Sequence, residues 1–203
     1  MTTHEEQVAQ THAAIIDALV TVGKTKPLNR ITISDITRTS GISRGTFYLH
    51  YLDKDDLINQ LTDQFIDRLQ TLLDEEMHGA MAYQNLVTGQ PYPVVIDVLD
   101  LVAANKPLLR FLLGVNGDPA LYRHIIEILQ SAILAELSNV KGRPNFRKDI
   151  PQSYALSLVT NAIMSIVTTW LMGDDTLDKQ AVAAIIMRTL YLSPYEILGI
   201  ERQ

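Results

Sequence analysis

The chain predicts an all-α protein, an N-terminal three-helix unit of helix-turn-helix type followed by a larger helical body, and three observations carry that expectation. Apolar residues recur at intervals of three and four along most of the sequence, the spacing that lines one side of a helix. No stretch sustains the period-two alternation of a half-buried strand, and no internal repeat is visible. Glycines and prolines fall between the periodic stretches, or at first-turn positions where a missing N–H costs nothing.

Thr3 and Glu6 match the S/T-x-x-E capping box, and Val8, Ile15, Ile16, Leu19 and Val20 follow at helical spacing. A first helix to about Val22 follows from this, ended by Gly23. Lys24 to Arg30, with Pro27 and Asn29, reads as a connector. Thr32 is placed to N-cap a short second helix, because its hydroxyl accepts from orphan backbone N–H groups, and Asp35 three residues on completes a variant of the box. Gly41 then supplies the residue type that tolerates the positive φ of an abrupt helix end. Ser43 caps the third helix, which carries Arg44, Gly45, Thr46, Tyr48 and His50 among the apolar Ile42, Phe47 and Tyr51. Many donors and few apolar side chains on one short helix suggest an exposed face that meets something anionic, with Phe47 and Tyr51 left for a small core.

Asp53 with Asp56 opens a long helix in which Leu57, Leu61, Phe65, Leu69, Leu72 and Leu73 repeat every three or four residues. Met77 to Pro93, holding two glycines and two prolines, breaks the pattern and is expected to be a linker or mobile loop. Helices are expected at Val94 to Ala104, from Pro107, from Pro119 to about Val140, at Ile150 to Met172 and at Thr176 to Leu192. Between them lie a tight turn at Gly114 to Asp118, a basic loop at Lys141 to Lys148 with Gly142 and Pro144, and the Gly173, Asp174, Asp175 break. The domain expectation is residues 1–53 for the helix-turn-helix part and 54–203 for the body.

A chain of 203 residues, 47% hydrophobic and 20% charged, is long enough for a substantial core and ordinary for a soluble protein. Cysteine is absent, which excludes disulfides and thiolate metal sites and fits a reducing cytoplasm. The start, MTTHEEQVAQ, has two acids and no Lys or Arg, the opposite of a secretory signal. The apolar run around Ala155 to Met172 is interrupted by Ser157, Thr160, Asn161, Ser165, Thr168 and Thr169, so it reads as a buried helix of a soluble protein with no membrane partner. Net charge is −6, yet from Lys24 to Lys54 six cations against Asp35 and Asp53 leave +4, and the rest of the chain must then carry −10. One basic segment on an acidic body attracts phosphate at one end and repels it elsewhere.

The run GISRGTFYLHYLDKDDLI resembles the TetR family of bacterial transcriptional regulators. The match covers the first quarter to third of the chain: a capped helix, a Gly turn, Arg-Gly-Thr-Phe-Tyr, a His-aromatic pair and a Lys-acid-acid-Leu helix start, in the family's order. The LLGVNGDPALY stretch near Leu112 also resembles a subgroup linked to dihydroxyacetone kinase regulators. The resemblance implies a homodimer that binds a palindromic double-stranded DNA operator. Arg44 and Gly45 would face base edges and Thr46 bases or sugar-phosphate, while Tyr48, His50 and Lys54 hold phosphates. Chemistry supports such roles independently. Arg is the usual bidentate reader of guanine, Gly45 permits close backbone approach, and Thr32 and Ser43 sit at helix N-termini where hydroxyls and N–H groups hold phosphate oxygens.

No H-E-x-x-H, no G-x-S-x-G and no glycine-rich phosphate loop is present, so neither catalysis nor a cofactor is expected. The family's last two long helices pair with their copies, which makes Met164, Ile166, Val182, Ile185, Ile186 and Leu190 candidates for the dimer seam. A small-molecule effector pocket is expected between the long helix after Asp53 and the later helices, lined by some of Phe111, Tyr122, Ile125, Asn161, Met164 and Trp170. The function expected is that of a cytoplasmic, ligand-responsive repressor. Its rivals are an activator working through a protein co-activator, and an all-α small-molecule carrier or enzyme with an incidental helix-turn-helix.

Overall fold

The computed structural model describes residues 3–78, 91–142, 146–173, 177–190 and 192–199, and among these it contains only helices and their connections. Most of the expected linker, together with Pro144, Asp174 and Asp175, lies outside the described residues. The chain divides into two compact units. The first comprises Met1–Ile66 with Asn105–Tyr122, and the second Asp67–Ala104 with Arg123–Gln203.

In the first unit, α1 (His4–Gly23) begins with the expected box: Glu6 N–H donates to Thr3 Oγ1 and Thr3 N–H to Glu6. A 3-10 turn, Leu28–Arg30, interrupts the connector. Helix α2 (Ile33–Ser40) is boxed by Thr32 and Asp35 and ends at Gly41, whose φ of 75° lies in the left-handed region that disfavours a side chain. Ser43 caps α3 (Arg44–His50), and α4 (Lys54–Glu76) follows, with Asp53 accepting from Asp56 N–H. Ile15, Leu19, Ile36, Phe47 and Leu57 are fully buried here, each such side chain worth about 1.5–3 kcal/mol relative to exposure.

The return of residues 105–122 to this unit has a specific cause. In α5 (Pro93–Ala104) and α6 (Lys106–Leu112) the chain passes from the second unit back to the first, and α6 packs on α1. The Phe111 ring lies against Gly23, so close that a Cβ there would fall 2.3 Å from ring carbons. Leu28 N–H donates to Asn116 O at 2.8 Å, and Asn116 Nδ2 donates to Gly23 O. These contacts link segments some ninety residues apart, and they place Phe111 and Tyr122 in the first unit, where the sequence expectation put the unit's end at residue 53.

The second unit holds the rest of α4, α5, most of α7 (Pro119–Lys141), α8 (Gln152–Met172), α9 (Lys179–Thr189) and the short α10 (Pro194–Ile197). Helix α9, capped by Asp178, packs on α8 and α5, and Leu99, Leu171, Val182, Ala183, Ile186 and Met187 form the interior. A second cluster joins Ile133 and Leu137 of α7 to Leu156 of α8. Helix α8 is long and apolar enough to cross a membrane by length and hydropathy, but only a third of its most apolar stretch is buried in the single chain. Leu156, Thr160, Met164, Val167, Trp170 and Leu171 face inward, whereas Tyr154, Leu158, Asn161, Ser165 and Thr169, spaced three or four apart, are exposed on the other side. The expected seam divides in the same way: Met164, Val182 and Ile186 are buried within the chain, Ile166 is half-buried, and only Ile185 and Leu190 are exposed.

Candidate nucleic-acid interface and ligand cavity

Capping chemistry builds the polar face of the first unit. Ser43 Oγ accepts from Thr46 N–H at 2.9 Å and lies 2.9 Å from Thr46 Oγ1, so the first turn of α3 is held by two hydroxyls. Ser43, Arg44 and Gly45 are exposed on that turn, Thr46 is half-buried, and nothing but Ser43 Oγ at 3.5 Å stands near the position a Gly45 Cβ would take. Arg44 donates to Ser34 Oγ of α2, which ties the two helices while leaving the guanidinium further donors. Tyr48 is 53% exposed, with its ring edge against Phe47.

Asp35 gathers charge at the start of α2. Lys26 and the Thr32 hydroxyl and N–H all donate to it, and Arg38 approaches to 3.3 Å. The Lys26 bond above all, then the Thr32 bonds, hold the Asp35 carboxyl far below the usual carboxylate range. Two of the segment's six cations therefore share one carboxylate. Lys54 donates to Leu28 O at 3.0 Å and stands 3.6 Å from Asp55, while its ammonium retains other protons. His50 is half-buried: the ring of His12, from α1, meets it edge-on at 4.6 Å, and His12 Nδ1 is 2.7 Å from the Tyr51 hydroxyl. Burial first, and His50 second, lower the His12 pKa. Burial first, then Asp56, raises that of Tyr51. Ser34 and His12 were not singled out in the sequence, and His12 could not have been, since its partner lies 39 residues away.

Thr32, Ser43, Arg44, Gly45, Thr46 and Tyr48 thus sit on or beside the two capped helices, with Thr32, Ser43, Arg44, Gly45 and Tyr48 exposed; His50 and Lys54 lie at the far end of α3 and the start of α4, engaged with α1 and the connector. Exposed helix N-termini and donors on adjoining turns are what a phosphate backbone and base edges require.

The second unit holds a partly open apolar cavity of about 110 Å³ between α4, α5, α7, α8 and α9. Its walls include Leu73, Val98, Leu99, Ala132, Ile163 and Ile186, and no charged or amide side chain lines it among the described residues. None of the six residues expected to line a pocket is among the walls of this one. Phe111 packs on Gly23, and Tyr122 belongs to the first unit. Asn161 is exposed and donates to Ser157 O, one turn back. Trp170 donates from Nε1 to Leu177 O at 3.0 Å. Ile125 and Met164 are buried elsewhere in the core. Helix geometry explains the miss on α8: Val159, Ile163 and Val167 line the cavity, and Met164 is turned about 100° from Ile163.

Tyr92 forms part of the cavity wall, and no sequence signal marked it. It is 7% exposed, its hydroxyl is buried with no hydrogen-bond partner among the described residues, and burial raises its pKa. Leaving a buried hydroxyl unsatisfied costs about 1–3 kcal/mol. Glu136 of α7 is 1% exposed, and both its carboxylate oxygens lack partners among the described residues.

Residues 15–61 match the model of bacterial regulatory proteins of the tetR family, and residues 89–191 match that of a transcriptional regulator C-terminal region of the TetR type. The fatty acid metabolism regulator protein of Bacillus subtilis (strain 168) is 23% identical over 188 residues, 87% of this chain and 91% of that protein. The crystal structure of the regulator FadR from Bacillus subtilis in complex with stearoyl-CoA is similar in fold, with a TM-score of 0.57 at 22% identity over 88% of this chain and 96% of that one. The dihydroxyacetone kinase operon activator DhaS shares the fold at a TM-score of 0.54 and 15% identity, over 89% and 93% of the two chains.

Proposed function

The chain belongs to the tetR family of bacterial transcriptional regulators, and from that premise we propose that it is a cytoplasmic, ligand-responsive repressor that binds a two-fold DNA operator as a homodimer. The observation that carries the DNA-binding part is the exposed Arg44-Gly45-Thr46 turn, braced by Ser43 below and by Ser34 from α2. In this reading Arg44, Gly45 and Thr46 read base edges, while Thr32, Ser43, Tyr48, His50 and Lys54 position the phosphates.

Support for a dimer comes from the exposed face of α8. Tyr154 and Leu158 are each about two-thirds exposed, and Asn161, Ser165 and Thr169 continue the same side with short polar groups. A second copy laid along that face, with Ile185 and Leu190 of α9 beside it, removes apolar surface from water. Two reading helices about one turn of DNA apart then grip a palindrome. The effector acts by binding the DNA-competent and DNA-incompetent states unequally. The relative named for fatty acid metabolism, and the neighbour solved with stearoyl-CoA, favour an effector with a hydrocarbon part.

The test is a mobility shift with the protein's own promoter region. Affinity should fall steeply with rising salt, since phosphate contacts release counterions. Arg44→Ala should erode discrimination between operator and random DNA by about 1–3 kcal/mol, whereas Lys54→Ala should weaken both similarly. Binding that is indifferent to sequence and unchanged by Arg44→Ala sinks the assignment.

A further inference from the structure

We propose that His12 is a positioning residue for the phosphate contact of His50, seated correctly only while its ring is uncharged, so that operator binding weakens when His12 takes up a proton. The inference rests on reading His50 as a phosphate contact and adds to it a residue that touches no DNA. His12 stands on the buried stripe of α1, one turn before Ile15 and two before Leu19, where helical spacing calls for an apolar side chain. A histidine there gives up hydration that a leucine would not need. What it gains is contact with the end of α3: its ring meets that of His50 edge-on at 4.6 Å, and its Nδ1 lies 2.7 Å from the Tyr51 hydroxyl.

The hydrogen bond selects the form of the ring that fits. Tyr51 is 3% exposed, and burial first, then Asp56, keeps its phenol protonated. The hydroxyl has no other partner among the described residues, so its proton is satisfied only by an uncharged His12 that offers Nδ1 as acceptor. A charged ring has two donors and no acceptor; it strands the Tyr51 proton and repels a proton on His50. The other ionisable groups on the surrounding elements are engaged or distant. Asp35 and Arg38 of α2 pair with each other, Asp56 of α4 accepts from Leu52 N–H, and Lys106 and Arg110 belong to α6, which meets α1 at Gly23. On α1 itself His4, Glu5 and Glu6 are about two turns away, and Asp17 is turned about 140° from His12.

A DNA phosphate favours a proton on His50, and that charge makes His12 harder to protonate in the complex than in the free protein. Affinity therefore falls as pH drops through the value at which the free protein's His12 takes its proton, by at most about tenfold per pH unit for each protomer. A histidine that merely added positive charge would do the opposite, since it strengthens phosphate binding.

The experiment measures the affinity of the purified full chain for its own promoter region by fluorescence anisotropy from pH 7.5 to 5.0 at fixed ionic strength, with circular dichroism at each pH. Wild-type affinity should drop about tenfold between pH 6.5 and 5.0 with helicity retained. His12→Gln, whose amide accepts from Tyr51 but takes no charge, should gain affinity over the same range. In the wild type the His12 ring, followed by NMR, should titrate at lower pH in the complex than in the free protein, a measurement that needs no variant to fold. The proposal is overturned if wild-type affinity rises steadily to pH 5.0, if His12→Gln loses affinity as the wild type does, if the His12 ring titrates alike with and without DNA, or if helicity is lost together with binding. His50→Gln separates the two readings. Unaltered affinity at pH 7.5 in that variant refutes the phosphate contact, whereas weakened affinity there, beside an acid response that His12→Gln leaves unchanged, refutes the role of His12 alone.

Discussion

The two units treat their buried polar groups in opposite ways. In the first, the buried Thr37 donates within α2, Tyr51 meets His12, and Asp35 satisfies Thr32 twice while drawing in Lys26. In the second, Thr160 is satisfied by Leu156 O, but the Tyr92 hydroxyl and both Glu136 oxygens are buried without partners among the described residues. A surface that must hold a fixed register on DNA gains from side chains locked by local hydrogen bonds. The unpartnered groups of the second unit cost stability instead of adding it, because a buried polar atom left unsatisfied keeps its desolvation penalty.

Glu136 offers the sharpest way to break this comparison. Glu136→Met replaces an unpartnered buried carboxylate with a flexible apolar side chain, and the unfolding free energy in urea should rise by about 1–3 kcal/mol. A loss of stability would mean that the carboxylate is partnered in solution. Thr32→Ala in the first unit should act in the opposite sense, costing about 1 kcal/mol as the α2 cap is lost and loosening the Lys26–Asp35–Thr32 cluster, measured by the same denaturation. The smallest effect expected is a pH dependence. Because the folded pKa of His12 lies below its ordinary 6.5, the unfolded chain binds the proton more readily, and this contribution is complete above pH 6.5 and lost as pH falls from there through the lower, folded pKa. The urea midpoint should therefore drop less between pH 7.5 and 5.5 in His12→Gln than in the wild type.

Much of the first unit was legible residue by residue, because its determinants are local. Thr3 with Glu6, Thr32 with Asp35 and Ser43 with Thr46 are caps formed within three residues, and Gly41 needs only its own φ. The same locality let the sequence place Arg44 and Gly45 on an exposed first turn. The cavity was not legible for the converse reason. Its walls come from five helices, and the turn of each helix that faces inward depends on the neighbours against which it packs. Helix α8, apolar on several sides, offered no way to choose Ile163 over Met164.

By itself the sequence determined the all-α class, the main helix starts, the basic segment on an acidic chain and the family, since these rest on spacing, caps and composition within short windows. Only the tertiary structure decided that residues 105–122 return to the first unit, that His12 meets Tyr51, and that Tyr92 stands in a cavity wall with its hydroxyl unpartnered among the described residues. Each of these depends on a contact between distant segments, such as Phe111 on Gly23, and its energy exists only once the chain has closed the intervening loop.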